Sequence, residues 1–159
     1  MSRWKCTSCG QWHDDLPLAY GPPAPALWYT IPEAEREQRA MLSSDLCLID
    51  EQHGFIAGNL ELPIIGSDRQ FSWDVWVSLS LPNFNRTFQL WDQRGRESEP
   101  PYFGWLSTHL PGYPETLNLK TMVHTREVGR RPRIELEPTD HPLAIEQRQG
   151  ISTLRVQEI

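Results

Sequence analysis

Two cysteines and a histidine near the start of the chain have the spacing of metal ligands. Cys6 and Cys9 are separated by two residues, and His13 follows Gly10, where the chain can bend back. Two thiolates at this spacing can converge on one tetrahedral ion, and Zn²⁺ favours sulfur and imidazole ligands. The sequence therefore predicts a structural zinc knuckle held by Cys6, Cys9 and His13.

The fourth zinc ligand has to come from a later part of the chain. Cys47 and His53 are the next donors, and Cys47 is preferred because it lies on the opposite face of a predicted strand from Leu46 and Leu48. The alternative interpretations are free, partly buried thiols or a redox dithiol, although no βαβ context of the thioredoxin type surrounds the motif. Three cysteines are a poor basis for a disulfide framework, so a reducing compartment is expected.

Asp140 and His141 place a carboxylate beside an imidazole at a predicted helix start. Asp140 could orient His141 as a general base, with His124 as a second catalytic candidate. The sequence contains no Gly-x-Ser-x-Gly elbow, phosphate-binding loop, dinucleotide fingerprint or His-Glu-x-x-His motif. We therefore expect His141 to be a helix-start residue, with Thr139 or Asp140 as the helix cap.

A partner surface is predicted around Trp76 and Tyr113, flanked by the basic residues Lys120 and Arg126. Trp76 breaks the alternation of its strand, so it either packs under a second layer or is exposed as a binding anchor. We expect it to be partly exposed, or covered only by a mobile segment. The basic concentration continues through His124, Arg130, Arg131 and Arg133. It could receive a carboxylate or phosphate, or it could be a solvated strand face paired with Glu135 and Glu137.

The elements that position these residues indicate one α+β domain. We divide the chain into a knuckle (1–15), a Pro-rich connector (16–31) and a body (32–159). The connector begins as a surface loop, Leu16 to Pro25, and a surface helix is predicted from Pro32 to Met41 with Thr30 as its cap.

In the body, a change to two-residue periodicity predicts strands. The clearest is Phe71 to Leu79, and a hairpin is predicted on either side of Glu51 to Gly54. A second hairpin joins Tyr102–Leu110 to Thr116–Glu127, and a last strand carries Ile134 and Leu136. The expected fold is a twisted, mainly antiparallel sheet of five to seven strands. One helix, carrying Phe84, Phe88 and Trp91, should cover the face that bears Trp73, and short helices should end the chain.

Composition limits the class of function. The 159 residues carry a formal net charge of −6, which argues against a nucleic-acid binder that neutralises phosphates. The sequence shows neither a signal peptide nor an apolar run long enough to cross a membrane. A cytoplasmic protein that binds neither nucleic acid nor membranes is therefore expected.

Five segments together resemble the bacterial family called domain of unknown function 2199, and the likeness spans essentially the whole chain. They are Trp4–Cys6 with Cys9 and His13, Ser44–Cys47, Trp73–Leu79, Pro101–Leu106 and Thr139–Ala144. The resemblance implies a bacterial, single-domain protein and supplies no activity.

We interpret the chain as a non-enzymatic binding or regulatory domain with a structural zinc site, whose partner is another protein. One alternative is a toxin-neutralising (immunity-type) partner protein. The other is a small hydrolase or transferase that uses His141, His124 or a metal-bound water. An enzyme needs convergent polar groups in a cleft, whereas a binding module needs an exposed apolar patch with a polar rim.

The zinc hypothesis predicts that the purified, reduced protein carries one zinc ion. Cys6→Ser should lose it, because a structural site needs all of its ligands and metal binding is coupled to local folding. Elemental analysis of both proteins measures this. Less than about half an equivalent of zinc in the wild type, or no loss in the variant, would contradict the hypothesis.

Overall fold

The computed structural model describes residues 19–159 in full and, before them, the backbone of two short strands. These strands, β1 (Trp4–Lys5) and β2 (Trp12–His13), pair antiparallel and form a sheet of their own. The main sheet contains β3 (Ala19–Tyr20), β4 (Ala40–Leu42), β5 (Leu46–Ile49), β6 (His53–Pro63), β7 (Gln70–Leu79), β8 (Tyr102–Leu106), β9 (Lys120–His124) and β10 (Arg133–Leu136). The helices are α1 (Ala26–Tyr29), α2 (Arg36–Arg39), α3 (Leu81–Gln89), α4 (Pro142–Gln149) and α5 (Thr153–Glu158).

The strands β6 to β10 follow one another in space and close into a five-stranded barrel. Each is antiparallel to the next. In an up-and-down series of five strands the first and the last point the same way, so the closing pair has to be parallel. Accordingly β10 pairs with β6 in parallel, with Arg133 opposite Asn59, and the Asn59 N–H donates to the Pro132 carbonyl at 2.9 Å.

The α+β class, the single domain and the mainly antiparallel sheet are confirmed, but the number of strands, expected to be five to seven, is wrong, and the closure into a barrel was not predicted. The described residues form an eight-stranded sheet in the order β3-β7-β8-β9-β10-β6-β5-β4, with the additional β6–β7 pairing that closes the barrel. Two of its pairings, β3–β7 and β6–β10, are parallel. Periodicity identified the strand faces but contains no information on which strands meet.

The main core lies inside the barrel, because alternate residues of its strands point inward. In β7 these are the aromatic and aliphatic residues that the alternation predicted. The fully buried interior includes Leu60, Leu62, Phe71, Trp73, Val75, Val77, Leu106, Val123 and Ile134. Leu143, Ala144, Ile151 and Val156 from the C-terminal segment pack against the same cluster.

Helix α3 begins where the sequence predicted, since the Ser80 hydroxyl accepts a hydrogen bond from the Asn83 N–H. Through Phe84 the helix packs against the core cluster that contains Trp73, at one end of the closed barrel instead of over an open sheet face. Phe84 is buried against Gly54 at the end of the barrel, whereas Phe88 is 61% exposed and Trp91 lies beyond the helix end. The prediction that Phe84, Phe88 and Trp91 all pack against the sheet is therefore wrong for Phe88.

A second apolar cluster lies on the outer side of β5, β6 and β7. It consists of Ile31, Cys47, Ile49, Phe55, Ala57 and Trp76, with Trp28 and Ala40 packed against it. Trp76 is only 2% exposed, and its indole N–H donates to the Pro22 carbonyl at 3.2 Å. Trp76 is therefore not partly exposed, because the segment from Pro22 to Ile31 covers it as a second layer.

The Pro-rich connector is thus more ordered than a surface loop. Its described part contains β3, which pairs in parallel with β7, and the single-turn helix α1. The Thr30 hydroxyl donates to the Leu27 carbonyl and so ends α1 instead of starting the next helix. The helix predicted from Pro32 to Met41 is reduced to a 3-10 turn (Glu33–Glu35) and α2, because β4 then joins the sheet edge beside β5.

The remaining predicted elements are present with shorter bounds. The β5–β6 hairpin turns at Asp50 and Glu51, both with positive φ. The second hairpin pairs only β8 with β9, and thirteen residues, 107–119, connect them. Among the described residues, no helix combines the length and the apolar composition needed to span a bilayer.

The parallel pairing of β6 with β10, which closes the barrel, requires glycine at position 58. A Cβ there would lie 2.6 Å from Ile134 Cδ1 and 3.0 Å from the Pro132 carbonyl oxygen. Gly58→Ala should therefore lower the free energy of unfolding by about 1–3 kcal/mol, the usual cost of overpacking. Urea unfolding should show that Ile134→Ala, which removes Cδ1 and the equally close Cγ1, relieves part of this loss in the double variant. Simple additivity of the two losses would contradict the close contact.

Candidate functional site

Two aromatic side chains are exposed next to each other on the outer face of β8. The strand alternates, so that Tyr102, Gly104 and Leu106 point into the barrel while Phe103 and Trp105 point out. Phe103 is 45% and Trp105 is 41% exposed, and their rings meet edge to face with centroids 5.0 Å apart. Two exposed aromatic rings in contact form an apolar patch, and such patches mark candidate interaction sites.

The strand register fixes the neighbours of this pair. Trp105 lies between Ser78 of β7 and Lys120 of β9. Phe103 lies beside Met122 of β9, which in turn faces Glu135 of β10. The outer residues of three strands therefore form one surface, here called the aromatic face: Phe103, Trp105, Lys120, Met122 and Glu135.

An apolar groove adjoins the aromatic face on the β10 side. It has a volume of about 210 Å³ and is lined by Phe103, Lys120, Thr121, Met122, Glu135, Leu136, Glu137 and Pro138. The backbone of Glu137 donates to the Lys120 carbonyl at 2.9 Å, so the strand order continues into the residues after β10. The groove thus combines apolar walls with two carboxylates and one ammonium group.

A wider cleft lies on the other side of Trp105, toward helix α1. It has a volume of about 350 Å³ and is lined by Ala26, Leu27, Thr30, His53, Phe55, Ser78, Ser107, His109, Leu117 and Asn118. Ser78 belongs both to the cleft lining and to the row that contains Trp105. Ser78 therefore places the cleft next to Trp105, and Phe103 and Lys120 place the groove beside the same residue.

Ser78, Ser107 and His109, three polar residues of the cleft, have hydrogen-bond or ion-pair partners in the protein. Ser78 and Ser107 both direct their hydroxyls to the Trp105 carbonyl, at 3.4 and 3.1 Å. His109 Nδ1 lies 2.9 Å from Glu115. The pKa of Glu115 is lowered, chiefly because its carboxylate accepts the Leu117 N–H and also because His109 is near. Within the described residues, no serine hydroxyl of the cleft bonds to an imidazole.

The loop between β8 and β9, which forms one wall of the cleft, is held by buried threonines. The Thr108 hydroxyl accepts the Trp76 N–H at 2.8 Å, and the Thr116 hydroxyl donates to the Thr108 carbonyl at 2.6 Å. Gly104 allows β8 to approach β7, since a Cβ there would lie 2.4 Å from Val77 Cγ1. The cleft wall and the aromatic face are consequently built on a rigid frame.

The basic residues near β9 are mostly engaged in ion pairs. Arg126 contacts Glu61, His124 Nε2 lies 3.1 Å from Glu135, and Arg131 Nε lies 2.9 Å from Asp45. This arrangement favours the interpretation of a solvated strand face with cross-strand partners. Lys120 stays exposed beside Trp105, which keeps it in the candidate surface.

Arg96 organises the segment after β9, and sequence reasoning missed it. It lies in a 3-10 turn (Arg96–Ser98) among charged residues, yet it is only 8% exposed. Its guanidinium donates to four carbonyls, those of Trp91, Arg126, Glu127 and Arg130. No local pattern distinguishes such an arginine from a solvated one, because its partners lie up to 34 residues away.

Tyr113 links Trp73 in the core to Glu146 of α4, and it does not form an exposed surface with Trp76. Its hydroxyl donates to Glu146 at 2.7 Å and accepts the Trp73 indole N–H at 3.2 Å, while Arg155 stacks over its ring. Burial and the bond to Glu146 raise the pKa of Tyr113 to about 12. The predicted group of Trp76, Tyr113, Lys120 and Arg126 is therefore dispersed, and Lys120 alone borders the exposed aromatic residues.

His141 is the residue at the start of α4, as the sequence predicted. Its own ring is the cap, because Nδ1 accepts the Leu143 N–H at 3.1 Å, so the expected cap by Thr139 or Asp140 is wrong. Nε2 faces the carbonyls of Pro114 and Glu115. Both ring nitrogens are thus used to fix α4 to the loop before β9. No described contact joins Asp140 to the ring.

The predicted zinc ligands are only partly within the described residues. Cys6 and Cys9 lie outside them, as does the side chain of His13. Cys47 is fully buried among the apolar residues around Trp76, and burial raises the pKa of its thiol to about 11. The part of the chain that is described contains no group of three or more His, Cys, Asp or Glu side chains placed to hold a metal ion. The zinc site therefore stays a prediction.

Comparison with known proteins identifies a family without adding an activity. The model of the family DUF2199, described as an uncharacterized protein conserved in bacteria, matches residues 5–151. This confirms the resemblance inferred from the sequence. No curated protein and no solved structure matches the chain.

Proposed function

The chain belongs to the bacterial family DUF2199, and on that premise we propose that it is a cytoplasmic, non-enzymatic protein-binding domain. The aromatic face is its binding surface, and the groove and the cleft on either side receive parts of the partner. The partner is another protein.

The exposed Phe103–Trp105 pair is the observation that carries this proposal. Two adjoining aromatic rings, each more than 40% exposed, keep a large apolar area in water. Aromatic residues are enriched among the side chains that contribute most to protein–protein binding, especially where polar groups surround them. Lys120 and Glu135 supply such a polar border.

Charge supports a protein partner over nucleic acid. The formal net charge is −6, and the arginines near β9 already contact carboxylates. A phosphate backbone would meet one exposed ammonium, Lys120, beside two carboxylates, Glu135 and Glu137. Protein surfaces of mixed charge fit this border better, because they can present both signs.

The cleft supports binding over catalysis. Its two serine hydroxyls donate to a carbonyl, and His109 is paired with a carboxylate. A nucleophilic serine would instead need a hydrogen bond to a general base. Both nitrogens of His141 are in use at the helix start, and His124 is paired with Glu135.

The proposal includes a structural zinc knuckle of Cys6, Cys9 and His13, with Cys47 as the fourth ligand. The pairing of Trp4–Lys5 with Trp12–His13 supports it, because this pairing closes the base of the loop that carries both cysteines. Cys47 would have to bind as a thiolate in an apolar site, where burial alone raises its pKa to about 11. A bound zinc ion provides the charge that deprotonates a coordinating thiol.

Site-specific photo-crosslinking tests the binding surface in bacterial cells that express the protein. A photoreactive phenylalanine analogue at position 105 should capture one major protein, whereas the same analogue at position 88 should not. Phe88 is the matched control, since it is a 61% exposed aromatic residue on α3, outside the aromatic face.

The captured protein is then purified and its affinity is measured by calorimetry. Phe103→Ser and Trp105→Ser should each weaken binding at least about tenfold, the effect of losing a central aromatic contact of about 1.4 kcal/mol. Phe88→Ser should leave the affinity unchanged. Equal weakening by all three variants, or by none of them, would contradict the proposal.

A further inference from the structure

We propose that the partner binds through an extended, proline-rich segment that carries a basic residue. The segment crosses the outer side of β7, β8, β9 and β10, from the cleft, over Trp105, into the groove. This inference rests on the proposed function and adds the chemistry of the bound segment.

The distances between strands set the length of the segment. The row that runs from Ser78 through Trp105 and Lys120 to Glu137 crosses three inter-strand spacings. At about 4.8 Å for each spacing, the row is about 14 Å long. A polyproline II helix rises about 3.1 Å per residue, so about five residues connect the cleft to the groove.

The backbone of the aromatic face excludes recognition by strand addition. An added strand needs free N–H and C=O groups along a sheet edge. Here β8 is paired with β7 and β9, and β9 is paired with β8 and β10. The partner therefore has to be recognised through side chains.

The shape of the surface favours an extended segment over a helix. Trp105 and Phe103 separate two depressions, of about 350 Å³ and about 210 Å³. A helix, about 10 Å wide, would rest on these rings and leave both depressions open. A narrow extended segment can cross the rings and place side chains on both sides. Proline-rich segments do so at low entropic cost, since their conformation exists before binding.

Charge indicates a basic residue at the groove end. Two carboxylates, Glu135 and Glu137, and one ammonium group, Lys120, line the groove at this end. Glu135 is shared with His124 and Arg133, but Glu137 forms no ion pair among the described residues. The net charge of −6 attracts basic segments over longer distances as well. Glu137 is the expected partner of an Arg or Lys side chain.

Titration of the ¹⁵N-labelled protein with three synthetic peptides tests the inference. The probe has the sequence Pro-Pro-Leu-Pro-Pro-Arg, one control replaces every proline with serine, and the other replaces arginine with glutamate. The probe should shift the amide signals of Phe103, Trp105 and Lys120, and each control should bind at least about fivefold more weakly. The variant Glu137→Lys should reverse the preference between arginine and glutamate. Glu158→Lys, at the C-terminal helix, should leave it unchanged.

Each other outcome contradicts the inference. Equal binding of the serine control would show that the polyproline conformation is not recognised. An unchanged preference in Glu137→Lys would show that this carboxylate does not select the basic residue. No binding of the probe, together with loss of the crosslinked partner in Phe103→Ser, would overturn the inference and leave the proposed function intact. Failure of the position-105 crosslink would overturn the proposed function itself.

Discussion

The closure of five strands into a barrel is the constraint on which the rest of the structure depends. An odd number of alternating strands can close only through one parallel pair, and here that seam joins β6 to β10 at Asn59 and Arg133. Because the register there is short, side-chain packing has to support it, and Ile134 fills the space that Gly58 leaves. Once the ring is closed, every strand has one face in the core and one face outside.

The outer faces of the barrel strands differ in how far the rest of the chain covers them. The segment from Pro22 to Ile31 covers β5, β6 and β7 and buries Trp76 in a second core. Over β8 and β9 the described chain supplies no such layer, so Phe103 and Trp105 stay exposed. Because Trp105 stays exposed while Trp76 is covered, the folded protein buries less apolar surface on the β8 side than on the β7 side. A partner that covers this side would bury that surface on binding.

Sequence patterns predicted the features that depend on neighbouring residues. They failed for features that depend on contacts between residues far apart in the chain. The alternation from Phe71 to Leu79, the cap by Ser80 and the helix start at His141 depend on a few adjacent residues. Trp76 and Trp105 are both outward residues by period, and only the tertiary structure shows which is covered. Likewise Arg96 has the sequence context of a loop residue, and its four carbonyl partners assemble only in the folded chain. The barrel closure and the position of Lys120 beside Trp105 could not be predicted from the sequence for the same reason, because both depend on contacts between distant parts of the chain.

In the free protein the outer face of β8 is open, whereas that of β7 is covered. Oxidative footprinting of the folded protein, with modification rates read for each tryptophan by peptide mass spectrometry, distinguishes the two faces. Trp105 should be oxidised at least about tenfold faster than Trp76, because 41% of the first residue and 2% of the second are exposed. Comparable rates for the two residues, or protection of Trp105 in the free protein, would contradict this expectation.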